Sequence, residues 1–276
     1  MRILTWNLWW RFGPWRERRA AIGSVLGDAA PDIVGLQEVW GGDGENLAGS
    51  LADELGMHWA WSPFGRPGRW GERTGETGFD VGVAVLSRWP IAETDVLRLP
   101  APGGHDDGRT ALYALVDAPA CPVPFFTTHL NSAPHESAVR CAQVRALAEF
   151  VAARQGGSAF PPVVTGDLNA WPDSDEVRLL GGYKTAPPVP GLFLLDAWEM
   201  ADPGAPAVTW NRANPYVAVG SPSVRIDYVL VGEPGPGGLG HVRSARRVGD
   251  GPVDGVWPSD HAAVLADVAG HSTTKT

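Results

Sequence analysis

Several apolar segments of this chain run into a carboxylate, carboxamide or imidazole at their ends, and that habit constrains the fold more than any other feature. In VVTGDLNA, Val163 to Ala170, the side chains of a β-strand alternate faces, so Asp167 and Asn169 fall on one side. In RILTWN, Ile3, Thr5 and Asn7 share a face, and in DIVGLQEVW so do Val34, Leu36 and Glu38. VPFFTTHLNS pairs His129 with Asn131, and VRIDYVLV sets Asp227 inside an otherwise apolar strand. A lone acid or amide at a strand end reads as a cap or turn former. Carboxylates buried side by side cost several kcal/mol unless a cation or donors compensate, so convergence of Glu38, Asp167, Asp227 and Asp260 would demand a metal. Oxygen donors with no cysteine and few histidines indicate a hard ion, Mg²⁺ or Mn²⁺.

These runs, with DVGVAVLSR, TALYALVD and HAAVLADV, alternate with helical or looped stretches. The helices expected are Arg16 to Ala29, Gly44 to Leu55, Glu136 to Arg154 and Asp173 to Leu180. In the third, Val139, Ala142, Val144, Leu147, Phe150 and Val151 form a mostly helical stripe that packs on a sheet. The mixture predicts an α/β sandwich. Loops are expected over Ser62 to Thr77, Leu99 to Gly108, Met200 to Ser223 and Glu233 to Gly240. EPGPGGLG lacks the Gly-Lys-Ser/Thr ending of a phosphate loop and reads as a turn. With no internal repeat and no long linker, residues 1–269 are expected to form a single domain and 270–276 a flexible tail.

The net charge of −9 argues against a protein that coats nucleic acid through a broad basic surface. It leaves a nuclease open, because a metal site supplies its own positive charge. RERR (Arg16 to Arg19) reads as a solvated helix face and RSARR (Arg243 to Arg247) as a charged edge strand. Cys121 and Cys141 lie in no zinc-like spacing and read as free thiols. MRILTWNLWW lacks the regions of a signal peptide, and no apolar run reaches the roughly 18 residues that span a bilayer. A soluble cytoplasmic protein without a transmembrane segment is the expectation.

TWNLW, LQEVW, FTTHLNS, TGDLNA, RIDYVLV and PSDHAAV, in that order, resemble the successive signatures of the endonuclease/exonuclease/phosphatase superfamily, the deoxyribonuclease I-like metal-dependent phosphoesterases. One such peptide is weak; six in order from Asn7 to His261 are strong. GVAVLSRWPI, the RCAQVRAL helix and TWNRANPY are also similar to the family. The resemblance implies an α/β, four-layer sandwich of two packed mixed β-sheets flanked by helices, with the site at one edge. It implies that Asn7 and Glu38 hold the metal, Glu38 as principal ligand, with Asp260 beside them. Asp167 would orient or deprotonate the attacking water, and Asn169 would bind the phosphate. Asp227 would orient a neighbour or assist the metal. Asp260 would hold His261 by a hydrogen bond, His261 would contact phosphate or act as acid or base, and His129 would contact phosphate or assist the leaving group.

Elementary chemistry makes these residue types intelligible. Phosphoester hydrolysis needs neutralised phosphoryl oxygens, an oriented water and a stabilised leaving oxygen. Mg²⁺ retains waters, so one carboxylate and an amide suffice as protein ligands. Asp260 and His261 are adjacent and can serve one site only from an irregular strand end, for which WPSDH supplies a proline. Arg109 is a candidate phosphate contact or a surface ion pair, and Asn131 a substrate contact or a turn closer. Glu72, Glu76 and Asp80 are candidate partners for His129. Trp6, Trp9, Trp10, Trp15 and Trp70 are candidate stacking surfaces or core.

The expected activity is divalent-metal-dependent hydrolysis of a phosphoester by attack of water on phosphorus. The substrate is a small phosphorylated metabolite or nucleic acid, so a DNA or RNA endo- or exonuclease stands as one alternative. A catalytically inactive binding module of the same fold stands as the other.

Overall fold

The computed structural model describes residues 1–66, 71–72, 75, 77–104 and 106–270. Trp70, Glu76 and all of the expected tail except Gly270 lie outside them. The first sheet is built from β1 (Arg2–Asn7), β2 (Ile33–Gly42), β4 (His58–Pro63), β5 (Phe79–Ser87), β12 (Val242–Val248) and β13 (Ala263–Val268), in the order β12-β13-β1-β2-β5-β4, with the short β3 (Glu45–Asn46) beside β2. The second is built from β6 (Ile91–Arg98), β7 (Thr110–Val116), β8 (Val123–His129), β9 (Val163–Asp167), β10 (Leu194–Asp196) and β11 (Asp227–Gly232), in the order β10-β11-β9-β8-β7-β6. Both are mixed: β1 runs parallel to β2 and β8 to β9, and the other pairs are antiparallel.

Helices α1 (Trp15–Ala29) and α2 (Leu47–Leu55) bury Ile22, Leu26, Ala48 and Leu51 in the apolar cluster that holds the first sheet. Helices α3 (Ser137–Arg154) and α4 (Asp175–Gly181) cover the second sheet, where Val144, Leu147, Val151 and Leu180 meet Phe126, Val164, Tyr228 and Leu230. The result is helix, sheet, sheet, helix, because each sheet has one apolar face for its partner and one for its helices.

Rows of side chains at period two cross the gap between the sheets. Gln37 donates from Nε2 to Thr5 Oγ1 and to Thr127 Oγ1, both at 3.1 Å, which ties β1 and β2 to β8 in the buried interior. The sheets come close here because position 35 is glycine. A Cβ on Gly35 would stand 2.0 Å from Thr165 Oγ1. Ile3, Thr5 and Asn7 therefore face the second sheet, while Thr127 and His129, and Thr165 and Asp167, face the first.

Three differences from the sequence reading have physical causes. The expected run of Val34, Leu36 and Glu38 on one face is broken by a bulge: the pairing of β2 with β5 shifts between Leu36 and Val39, and Glu38 takes a left-handed φ of 52°. Gln37 shares the inward face of Gly35 by ordinary alternation, and the bulge that follows re-aims Glu38. The RERR stretch is not a wholly solvated face, because Arg18 is buried on α1 beside Ala21, Ile22 and Val25. The loop expected from Ser62 begins two residues later, since Ser62 and Pro63 pair with Val83 and Gly82 as the end of β4. RSARR does lie in an edge strand, β12.

Candidate active site

Strand pairing alone places three site side chains in a row. In the second sheet His129 pairs with Asp167, and Asp167 pairs with Asp227. The end of β1 brings Asn7 opposite them, and the segment before β13 brings Asp260 and His261. Asn7, His129, Asp167, Asp227, Asp260 and His261 are all buried. Asp167 is the hub. Its Oδ2 accepts from Asn7 Nδ2 at 3.0 Å and lies 3.4 Å from His129 Nε2 and 3.8 Å from His261 Nε2. Its Oδ1 accepts from the Asn169 backbone N at 2.9 Å. That bond closes a turn in which Asn169 has φ 48°, a conformation asparagine tolerates better than most residues.

His261 differs from expectation in its partner. Its Nδ1 sits 2.9 Å from Asp227 Oδ2, whereas Asp260 Oδ1 is 4.0 Å from Nε2. Asp227, not Asp260, therefore holds the ring. The reason is topological: Asp227 and Asp167 face the first sheet from neighbouring strands, and His261 enters from the first sheet directly opposite. Ser259, which the sequence reading passed over, fixes this segment by donating to Asn7 O at 2.6 Å and accepting from His261 N at 3.1 Å.

The two histidines have opposite electrostatics. Burial alone would lower the His261 pKa, but Asp227, Asp260 and Asp167 outweigh it and raise the ring to about 10. His129 is held well below 6.5 by burial, by Arg109 and by His261. Near neutral pH His261 is an imidazolium and His129 a neutral ring. Burial, with the charge of Asp227 adding to it, raises Asp167 to about 7. Burial, reinforced by Glu38, raises Asp260 to about 7 despite His261 and Arg18.

Two buried carboxylate oxygens are candidates for a cation. Glu38 Oε2 and Asp227 Oδ1 are buried without a hydrogen-bond partner, and an orphaned carboxylate oxygen costs free energy that a hard ion would recover. The field of Glu38 at Asp260 puts a second carboxylate nearby. Asn7 Oδ1 already accepts from Trp9 N at 2.9 Å but keeps a second lone pair. Asp167, Asp227 and His261 also bring one ligand-capable atom each within 4.8 Å of one another.

Other candidates separate. Arg109 is buried, with Nη2 3.7 Å from Asp107 and its guanidinium 5.2 Å from the Phe64 ring, so it is no surface ion pair, and its charge reaches His129. Asn131 is engaged away from the cleft: Nδ2 donates to Glu136 at 3.1 Å, and Oδ1 accepts from Gln143 on α3 at 2.8 Å. Asp80 accepts from the backbone N of Gly65 and Arg66, so it caps that loop rather than orienting His129. Among the described residues no partner reaches His129 Nδ1; Glu76 lies outside them. Trp6, Trp10 and Arg18 belong to the support. Trp6 donates to His261 O, and Arg18 donates to the carbonyls of Leu8, Trp9, Trp10, Phe12 and Pro258. Its place on the buried helical phase, three and four residues before Ala21 and Ile22, was the available signal.

Comparison with known proteins places the chain. The profile of the Endonuclease/Exonuclease/phosphatase family matches residues 4–261, and the chain belongs to this family of phosphoester hydrolases. A Caenorhabditis elegans protein named "Putative neutral sphingomyelinase" is 30% identical over 231 residues, covering 73% of this chain and 46% of that protein. The chain thus spans about half the length of that relative. Among solved structures, the human Nocturnin catalytic domain with bound sulfate superimposes with a TM-score of 0.75 at 19% identity, covering 98% of this chain and 94% of the other. TDP2 from D. rerio, complexed with a single-strand DNA product, gives 0.71 at 19%, covering 96% and 97%. Both share the two-sheet, deoxyribonuclease I-like fold.

Proposed function

We propose that the chain is a divalent-metal-dependent phosphoesterase acting through the cluster around Asp167. The observation that carries this is the convergence of Asn7, His129, Asp227 and His261 on one buried carboxylate, with Glu38, whose field reaches Asp260, holding an oxygen that lacks any donor among the described residues. Glu38, with Asp260 and Asn7, would hold Mg²⁺ or Mn²⁺. Once bound, the ion would neutralise phosphoryl oxygens and the charge that develops on them.

The chain's own groups supply the rest. Asp167, raised to about 7, is poised to take a proton from water near neutral pH. His261, kept cationic by the carboxylates around it and oriented by Asp227, offers its Nε2 proton to a phosphate oxygen. His129, neutral, offers an uncharged donor on the other side of Asp167. Asn169, whose Nδ2 donates to Leu130 O at 3.1 Å, borders the same edge and would steady the phosphate once that weak tie is exchanged. The family match over residues 4–261 and the pairing of β1 with β13 support one working unit over 1–269. No helix among the described residues is long and apolar enough to cross a membrane, and two free cysteines support a cytoplasmic setting.

A small phosphorylated molecule is the substrate class that the acidic chain favours. The DNA product held by the TDP2 relative supports the nuclease alternative. The test is hydrolysis of a panel of small phosphate mono- and diesters and of oligonucleotides, with Mg²⁺, Mn²⁺ or EDTA. Metal-dependent turnover that is lost in Glu38→Gln supports the reading. Full activity in EDTA or in Glu38→Gln would refute it, and cleavage of nucleic acid alone would select the nuclease.

A further inference from the structure

A cavity of about 540 Å³ opens beside Asn169, and apart from Asn169 none of its lining residues has a part in the proposed hydrolysis. Its volume lies in the range of small-molecule sites, roughly 300–1,000 Å³. Asn169 lines both it and the Asp167 cluster, so the cavity continues directly from the place where a phosphate would sit. One wall is Trp171, half-exposed at 51% although it is a large aromatic ring two residues from Asn169. Another is Trp210, whose ring meets the His261 imidazole edge-on with centroids 4.7 Å apart. Val224 and Ile226 continue the apolar surface.

The charge of the lining is decisive. Its only ionic side chains among the described residues are Arg140 and Glu176, and these are bonded to each other at 2.9 Å. Arg140 also donates from Nη1 to the carbonyls of Asn131 and Ala133. Its charge is offset by Glu176, and its Nε and Nη1 are both engaged within the protein, so a second phosphate in this cavity would have to compete with bonds already made. The net charge of −9 would repel a polyanion further.

We infer that this cavity receives a neutral, planar or apolar organic group esterified to the substrate's phosphate, packed against Trp171 and Trp210. The substrate is then a small phosphoester with one such group rather than a segment of a polyanion. The inference rests on the phosphoesterase reading and names the substrate class of that same site.

Two non-hydrolysable probes separate the inference from the reading beneath it: methylphosphonate, which presents the anionic head alone, and naphthylmethylphosphonate, which adds a planar ring. Their affinities are measured by calorimetry with Mg²⁺ on the wild-type chain, on Trp171→Ala and on Trp171→Phe. Because Trp171 is half-exposed, both variants are expected to fold. The ring is expected to tighten binding by about tenfold or more in the wild type, a gain in keeping with the burial of an aromatic group. That advantage should shrink to within about threefold in Trp171→Ala and largely survive in Trp171→Phe, while methylphosphonate affinity stays unchanged.

An equal affinity for both probes, or a ring advantage that persists in Trp171→Ala, would overturn the inference and leave the phosphoesterase reading standing. Failure of both probes to bind in Mg²⁺ would remove that reading and the inference with it. Tighter binding of an octathymidylate phosphorothioate than of naphthylmethylphosphonate, unaffected by Trp171→Ala, would overturn the inference in favour of nucleic acid.

Discussion

The same inward-facing rows of side chains behave in opposite ways at the middle of the sandwich and at its end. In the middle, Thr5, Gln37 and Thr127 form a neutral polar cluster whose members satisfy one another. Two residues further along β1 and β8, Asn7 and His129 stand in the same rows, where the cluster is charged and unfinished. Among the described residues Glu38 Oε2, Asp227 Oδ1 and His129 Nδ1 have no partner there. A buried polar group without a partner costs about 1–3 kcal/mol, so a fold that carries three at one place is set up for something that supplies the missing bonds. The middle fastens the sheets and the end is where chemistry is expected.

The largest effect is expected from removing charge at the end. Asp167→Asn or Glu38→Gln is expected to lower kcat/KM by about 10³-fold or more for any phosphoester the chain hydrolyses. Near-isosteric replacement should leave the fold intact by circular dichroism. Either variant retaining activity within tenfold would show that the unfinished cluster is not the catalytic end.

Metal removal is expected to have the next largest effect. Asp167 and Asp260 are raised from 3.8 to about 7, so in the absence of metal the folded chain binds their protons more tightly than the unfolded chain, and stability falls as pH rises from about 4 to 7. His261 is raised from 6.5 to about 10, so its contribution is whole below 6.5 and is lost as pH climbs towards 10. Both effects have one sign. Melting in EDTA should drop between pH 5 and 8 by the equivalent of a few kcal/mol, with the slope reduced in Asp167→Asn. Added Mg²⁺ should raise the melting temperature more at pH 8 than at pH 5. A metal-free Tm that is flat or rises over this range would contradict the assignment.

A smaller effect is expected from Asp227→Asn. The variant keeps a hydrogen-bonding group beside His261 Nδ1 but removes the carboxylate that ranks first among the groups raising the imidazolium. Activity should fall by about 10- to 100-fold, in line with loss of a partner that orients a catalytic ring. The alkaline limb of the pH–rate profile should also move to lower pH. A uniform loss at every pH, with the profile unmoved, would assign Asp227 a merely structural place.

How much of this contrast was legible in the sequence depends on range. Period-two alternation grouped Asn7 with Ile3 and Thr5 on one face because strand geometry is local and regular, but that this face looks inward appears only when the two sheets are packed. Alternation failed at Glu38, because a bulge is invisible until β5 is paired with β2 and the register shift appears. The family resemblance made Asp260 the partner of His261, yet a ring takes its partner by spatial approach, and Asp227 arrives from the other sheet. Strands β4 and β6 were missed for a different reason. They are sheet edges, and β6 in particular is largely exposed, so neither shows the apolar run that betrays a central strand. Arg18 and Ser259 each bond a backbone carbonyl some 240 to 252 residues away, Pro258 O and Asn7 O, and although helical spacing put Arg18 on the buried phase, no spacing rule encodes those partners.

The smallest expected effect tests the middle. Thr127→Val replaces one hydroxyl by a methyl of nearly equal volume and removes a single bond from Gln37, which still donates to Thr5 and to the Gly35 carbonyl. Because Gln37 Nε2 stays partnered, the cost should remain near that of one neutral hydrogen bond, about 1–2 kcal/mol in chemical unfolding. His129 is two residues along the same strand and takes its position from the backbone pairing with Asp167, which the substitution does not touch. Activity per folded molecule is therefore expected to stay within about twofold. A large loss of kcat with little loss of stability would mean that the neutral cluster positions the charged one, so that the middle and the end of the sandwich act as a single device.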